Sequence, residues 1–216
     1  MDSNPSDQPT RAPGDLDRMP REWFARDARS VARDLIGHEL VRILPDGTLL
    51  GGIITETEAY VGPEDLASHA KGGHRSPRNE SMWGQPGTAY VYFTYGMHYC
   101  FNIACYRADH PAAVLVRAID PTRGIEIMRE NRSRRPRKRP LPDAQLCDGP
   151  AKLCQALAID KSLDAEDFLQ SAQLAIVRGE SLKDERVECT ARIGIGAGHD
   201  WVHKPLRWVR IMHPSS

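Results

Sequence analysis

The stretch GIITETEAY (52–60) carries two carboxylates, Glu56 and Glu58, separated by one residue. In a strand, side chains alternate faces, so Ile54, Glu56, Glu58 and Tyr60 share one face and the two acids stand roughly 7 Å apart along it. An ionised carboxylate is costly to bury without a partner. The pair is therefore either two surface acids on a solvent-facing sheet edge, or part of a groove in which one of them can take a proton from water as a general base. The opposite face, Ile53, Thr55, Thr57 and Ala59, is small and mostly β-branched, which suits packing and leaves the groove open to the acids. Spacing alone does not choose between Glu56 and Glu58. Arg117 interrupts the apolar run VLVRAI (114–119). It is either an ion-paired or snorkelling strand residue, or a donor to a phosphate or a catalytic water.

A second constellation is aromatic. AYVYFTYGMHYCFN (89–102) holds Tyr90, Tyr92, Phe93, Tyr95, Tyr99 and Phe101, although aromatic residues make up only 6% of the chain. The run reads as two strands folded back at Tyr95-Gly96, where Gly96 supplies a positive φ and Tyr95 occupies the tip. Tyr90 and Tyr92 share a face; Val91, Phe93 and Tyr95 share the other. A large ring at a hairpin tip either packs on the long 61–87 segment or stands out as a wedge of the kind that unstacks base steps in a duplex.

Other patterns carry less. His69 and His74, with Glu64 and Asp65 upstream, match no HExxH or CxxC zinc spacing, and no metal site is expected. GIGAGHD (194–200) alternates glycines, but a dinucleotide loop needs a strand before it and a helix after it, and Pro205 follows with no apolar helical stripe.

These side chains need elements to hold them. Asp27 is a plausible N-cap for a helix with Ala28, Val31, Leu35 and Ile36 at helical spacing and Gly37 as the stop. HELVRIL and TLLGGIITETEAYV flank the turn Pro45-Asp46-Gly47 and predict a hairpin. Residues 61–87 read as a long loop of the functional kind. AAVLVRAI (112–119) predicts a buried strand, RGIEIMRENR a short helix, and GPAKLCQALAI a helix with Pro150 at its first position; ARIGIGAG and LRWVRIM predict late strands. The fold class is α+β: a single domain, a largely antiparallel curved sheet or open barrel with surrounding helices and a protruding β-hairpin.

Bulk properties bound the rest. A length of 216 residues fits one domain. Residues 1–20, rich in Pro, Asp and Ser, read as a disordered tail, and 21–212 as the folded domain, with 132–142 as a mobile basic loop. No apolar window long enough for a membrane span occurs, and the first residues do not read as a signal peptide. Five cysteines without a CxxC pair point to a reducing compartment, with Cys100 and Cys154 as small buried hydrophobes. Net charge is zero, yet residues 75–140 carry +7, and basic charge interleaved with aromatics is the footprint of a nucleic-acid partner. Arginine outnumbers lysine 23 to 6, which points to a GC-rich source.

The stretches ETEAYVGPEDLASH (56–69), SPRN (76–79), PGTAYVYFTYGMHYCFNI (86–103), VLVRAIDP (114–121), CDGPAKLCQALAI (147–159) and KPLRW (204–208) together resemble the alkyladenine (3-methyladenine) DNA glycosylases of the single-domain mixed α/β type. They run in the family's order over about residues 25–210. The resemblance implies a monofunctional enzyme that flips alkylated or deaminated purines (3-methyladenine, hypoxanthine, ethenoadenine) out of double-stranded DNA and hydrolyses the N-glycosidic bond, leaving an abasic site. By the same resemblance Glu58 activates the water and Arg117 helps to hold it. Tyr60, His69 and Tyr92 stack on the extruded base, and the His69 N–H reads its edge. Asn102 clashes with the amine of normal guanine, and Tyr95 with Met97 fills the gap in the duplex. No cofactor is implied. Phosphate contacts are expected from the helix start at Gly149 and from Lys152. The expected state is a monomer without membrane contact, in the cytoplasm or nucleoid of a bacterium or the nucleus of a eukaryote. The alternative is a non-catalytic nucleic-acid binding module using the same hairpin. The YRADHP segment (106–111) is longer than usual for the family, and residues 84–99 vary, including Gly84 and His98.

Overall fold

A computed structural model describes residues 16–133, 139–196 and 198–211. The basic stretch 134–138 and residues 1–15 of the expected tail lie outside the described residues. Within residues 16–20, Met19 is buried, and the Arg18 guanidinium donates to the carbonyls of Phe168, Leu174 and Ser171.

Among the described residues eight strands form one antiparallel sheet: β1 (Glu39–Ile43), β2 (Leu49–Tyr60), β3 (Ala89–Thr94), β4 (His98–Cys105), β5 (Ala112–Arg123), β6 (Leu174–Val177), β7 (Val187–Ala191) and β8 (Pro205–Arg210). The order is β3-β4-β5-β2-β1-β6. The sheet branches at β2: β1 pairs with its first half, β8 with Glu56–Glu58, and β7 continues from β8. Among the described residues four α-helices pack around it: α1 (Arg21–Phe24), α2 (Ala28–Leu35), α3 (Ile125–Arg132) and α4 (Pro150–Ala156). This is the α+β class expected, with an open sheet.

Local chemistry accounts for the elements nearest the acids. The Asp27 carboxylate caps α2 by accepting from the Arg29 N–H at 2.8 Å. Ala28, Val31, Ala32 and Leu35 of α2 are buried against the sheet. At the end of α2, Gly37 has φ +96°, and a Cβ there would meet the Glu180 carbonyl at 2.2 Å, so glycine is required twice over. The β1–β2 turn closes with Asp46 Oδ1 accepting from the Thr48 N–H at 2.9 Å and Gly47 at φ +85°.

The alternation of β2 is not continuous. Its register with β5 shifts between Ile54 and Glu56 and again between Glu56 and Thr57. Leu50 and Ile54 belong to the core before the shift, and Ala59 belongs to it after, so the buried parity changes from even to odd. Ile54 therefore does not share a face with the acids, as uninterrupted alternation predicts; a β-bulge of this kind re-aims side chains. Thr57 is buried under α2, its hydroxyl donating to the Ala32 carbonyl at 2.7 Å. Glu56 and Glu58 point the other way. The core itself is built on Phe24, Phe101, Phe168, Ile54 and Ile103, each almost fully buried and each contributing about 1.5–3 kcal/mol of burial.

Two expectations need correction. The ARIGIGAG stretch does not continue as a strand: β7 ends at Ala191, and residues 192–196 run irregularly. Arg192 is drawn inward by a buried acid, and Gly194, at φ +73°, leaves the extended region. The strand read at 112–119 runs on to Arg123.

Candidate functional site

Glu58 is fully buried on the central strand, so the reading of Glu56 and Glu58 as two surface acids at a sheet edge does not hold. Its Oε1 accepts from the Ile193 N–H at 2.8 Å and pairs with Arg117 Nη1 at 3.1 Å. Its Oε2 accepts from the Tyr60 hydroxyl at 3.0 Å. Burial pushes the carboxyl above the usual range, while Arg117, the Ile193 N–H, Tyr60 and Arg192 pull it back down. All three direct partners are donors, so the ionised form satisfies the network; a proton on Oε2 would compete with Tyr60. Glu56 is nearly buried too, and its Oε1 accepts from Arg117 Nε at 2.7 Å and Arg207 Nε at 2.5 Å. Arg117, standing on β5, thus bridges both acids.

Tyr60 opens onto a cavity of about 190 Å³. His69, Tyr90, Tyr92, Asn102 and Tyr95 line it as well, with Gly194, Ile195 and Gly196 completing it. Glu58 itself is not on the cavity surface; it lies one hydrogen bond behind the Tyr60 hydroxyl. The structure brings Tyr60, His69, Tyr92 and Asn102 together around one cavity, with Glu58 and Arg117 behind Tyr60.

The hairpin β3–β4 supplies one side. Thr94 pairs with His98, leaving Tyr95-Gly96-Met97 as a three-residue loop closed by the Met97 N–H on the Thr94 carbonyl at 3.2 Å. Tyr95 has φ +50° and Gly96 φ +68°. A non-glycine residue there is strained by about 1–2 kcal/mol. Tyr95 is 82% exposed and Met97 61%, so the tip projects instead of packing on the 61–87 segment. On the inward face Tyr90 and Tyr92 lie 5.2 Å apart at 33°, and the His69 ring meets Tyr92 edge-on at 4.5 Å. Asn102, opposite Tyr90 in the register, is buried, its Nδ2 donating to the Tyr90 carbonyl at 3.0 Å.

The 61–87 segment supplies the other side. Asn79 Nδ2 donates to the carbonyls of His69 and His74, at 3.1 and 2.9 Å, and ties the two peptides together. His69 Nδ1 shares a proton with the Tyr90 hydroxyl at 2.8 Å, and the His69 N–H has no acceptor among the described residues. Packing of the ring against its neighbours, reinforced by Arg78, lowers the His69 imidazole to about 4, even though the residue as a whole is exposed. At neutral pH it is uncharged.

Sequence reasoning missed Arg192. Its guanidinium makes a double ion pair with Asp65, Nη1–Oδ2 at 2.6 Å and Nη2–Oδ1 at 2.8 Å, with both side chains fully buried. It also donates to the Ala59 carbonyl at 2.9 Å and lies 4.6 Å over the Tyr60 ring. That clamp joins the end of β2, the start of the long loop and the irregular 192–196 run, and so carries the Ile193 N–H to Glu58. The motif stretches held Asp65, but its partner lies 127 residues away.

Around the cavity mouth a groove of about 510 Å³ is lined by Lys71, His74, Arg78 and His199, and contains no carboxylate. It shares His69 with the aromatic cavity. The expected phosphate contacts sit elsewhere: Gly149 precedes α4, and Lys152 Nζ is paired with Asp148 at 2.8 Å. Met97 and Ala151 of α4 line a second groove of about 300 Å³ on the other flank of the hairpin.

A sequence model described as methylpurine-DNA glycosylase matches residues 22–214, and the chain belongs to that family. It is 47% identical over 199 residues to the human DNA-3-methyladenine glycosylase, covering 90% of this chain and 66% of the human protein. The mouse DNA-3-methyladenine glycosylase is 47% identical over 196 residues, covering 88% of this chain and 58% of its own length. The putative 3-methyladenine DNA glycosylase of Carboxydothermus hydrogenoformans is 46% identical over 182 residues, or 84% of this chain and 91% of that protein. The chain spans less than two thirds of the length of these mammalian relatives.

Proposed function

We propose that this protein is a monofunctional DNA repair glycosylase: it turns a damaged purine out of duplex DNA into the aromatic cavity and hydrolyses the N-glycosidic bond with a water activated by Glu58. The observation that carries the reading is a buried carboxylate joined through the Tyr60 hydroxyl, at 3.0 Å, to a cavity bounded by Tyr60, His69 and Tyr92. The names of the relatives, DNA-3-methyladenine glycosylases, support the coarser reading of a DNA glycosylase.

A base inside a duplex is out of reach, and extruding it costs a few kcal/mol, least for a damaged or mispaired base. Stacking returns about 1–3 kcal/mol per base, so Tyr60, Tyr92 and the His69 ring are on the scale needed. Tyr95, with Met97 beside it, fills the vacated stack. Ring alkylation of a purine leaves it cationic, and a neutral His69 offers a stacking surface without repulsion. The unpaired His69 N–H reads the base edge, and Asn102 stands against the exocyclic amine of normal guanine. The basic groove holding Lys71 and Arg78 takes flanking phosphates.

Bond cleavage passes through an oxocarbenium-like sugar. The Glu58 carboxylate stabilises that positive charge and accepts the proton of the attacking water, which Arg117 helps to hold. Among the described residues no lysine lines the aromatic cavity, which favours direct hydrolysis over a Schiff-base route and leaves an abasic site with the strand intact. The protein works as a monomer on double-stranded DNA carrying alkylated or deaminated purines.

The test is a labelled duplex with one hypoxanthine, and a second with one alkylated adenine, incubated with the protein in a strong chelator and then treated with alkali. An alkali-labile break at the lesion is expected. No break on either duplex would refute the reading.

A further inference from the structure

We infer that Glu56 is a positioning residue that acts through Arg117: with its second partner, Arg207, it fixes the guanidinium against Glu58 and sets how firmly that carboxylate keeps its charge. The inference rests on the proposed role of Glu58 as the base.

One oxygen of Glu56 receives two guanidinium groups, Arg117 Nε at 2.7 Å and Arg207 Nε at 2.5 Å. From Arg117 the chain of contacts continues to Glu58 Oε1 at 3.1 Å. At its far end Arg207 is anchored by Nη1 on the Thr190 hydroxyl at 2.9 Å. The sequence of charges is Arg207, Glu56, Arg117, Glu58, alternating in sign and summing to zero, and none of the four side chains is more than 19% exposed. With so little solvent to screen them, the outer members act on Glu58 through Arg117. Glu56 does not line the cavity, so its influence on chemistry runs by this route.

The backbone is shaped for the contact. The register shifts on either side of Glu56 aim it to the same side as Glu58, and β8 pairs with β2 over Glu56–Glu58, with Arg207 opposite Glu58. The groups facing Glu58 from the surrounding elements are Tyr60 on β2, Arg117 on β5, Cys100 on β4, and Arg192 with the Ile193 N–H after β7. Two of these are backed by a further acid, Arg117 by Glu56 and Arg192 by Asp65, and of the two it is Arg117 that pairs directly with Glu58.

The signs follow from the alternation. Glu56→Gln keeps an acceptor for Arg117 but removes one negative charge, so the local field turns positive and Glu58 stays ionised to lower pH. Arg207→Gln removes a positive charge, so Glu58 takes a proton at higher pH. The double variant restores neutrality. Arg207→Lys keeps the charge.

The experiment is the acid limb of single-turnover base release on a hypoxanthine duplex for the wild type and these four variants, with the Glu58 carboxyl followed in parallel by carbon-13 titration without DNA. The limb and the carboxyl are expected to move together on the order of one pH unit: down for Glu56→Gln, up for Arg207→Gln, and near the wild type for the double variant and Arg207→Lys. Unmoved limbs and carboxyl in both charge-removing single variants, or shifts in the same direction, would overturn the inference. Should Glu56→Gln fail to fold, the contrast between Arg207→Gln and Arg207→Lys reads the same relay. A wild type that releases no base while the carboxyl shifts appear as described would defeat the glycosylase reading and leave the relay standing.

Discussion

The Tyr60 hydroxyl donates to Glu58 Oε2 at 3.0 Å, and this one bond connects the aromatic cavity to a carboxylate that is otherwise sealed from solvent. Under the proposed function, the ring that stacks on the extruded base also holds the carboxylate that activates water. Tyr60→Phe separates the two duties. The ring remains, so lesion binding is kept; the hydrogen bond that lowers the Glu58 pKa is gone, so the carboxyl protonates more readily. The acid limb of base release is expected to move to higher pH, with the rate recovered on the alkaline side. A pH–rate profile of wild type and variant checks this.

At the hairpin tip, function and local stability point in opposite directions. Tyr95 has φ +50° and is 82% exposed, so its side chain adds almost nothing to packing while its backbone is strained. Tyr95→Gly removes the strain, and the extra freedom of the unfolded glycine offsets part of that gain. The melting temperature is expected to stay level or rise. Base release from a duplex should fall tenfold or more, about 1.4 kcal/mol of lost wedge contribution. Release from a single strand, where no gap needs filling, should fall less. Calorimetry and single-turnover assays on the two substrates give the comparison.

The His69 imidazole should titrate at about 4. Nitrogen-15 chemical shifts of the ring across pH 3–8 read it directly, and Arg78→Gln should raise the midpoint, because Arg78 adds to the depression. The unfolded chain takes up the same proton near 6.5. His69 thus contributes a loss of stability as pH falls from about 6.5 towards about 4, and none above that window.

Much of this arrangement is legible in the chain, and the remainder is lost for identifiable reasons. The α2 cap at Asp27, the turn at Asp46-Gly47 and the aromatic hairpin rest on neighbours within a few residues, and each is found where local pattern puts it. Choosing Glu58 over Glu56 was beyond spacing, because both acids face the same way and both meet Arg117. What separates them is the Ile193 N–H and the Tyr60 hydroxyl on Glu58, against Arg207 on Glu56. The role of Arg192 depends on Asp65, far away in sequence, and ARIGIGAG reads as a strand until that ion pair pulls the chain out of line. Uninterrupted alternation misplaced Ile54 because a bulge leaves no fixed mark in residue type.

Asp65→Asn leaves the Arg192 charge buried without its counter-ion, although both side chains are fully enclosed in the native fold. The expected cost is about 3–5 kcal/mol of stability, measured by urea unfolding. The Ile193 N–H would lose its fixed position against Glu58, so base release should fall as well, even where the variant remains folded.

In the proposed mechanism Glu58 acts on the bond itself rather than shaping the pocket. The most direct test is Glu58→Gln on a hypoxanthine duplex, with binding and single-turnover base release measured side by side. The variant should bind the lesion within a few-fold of the wild type and lose base release by at least about 100-fold. Release at the wild-type rate, with binding intact, would rule out Glu58 as the group that activates the water.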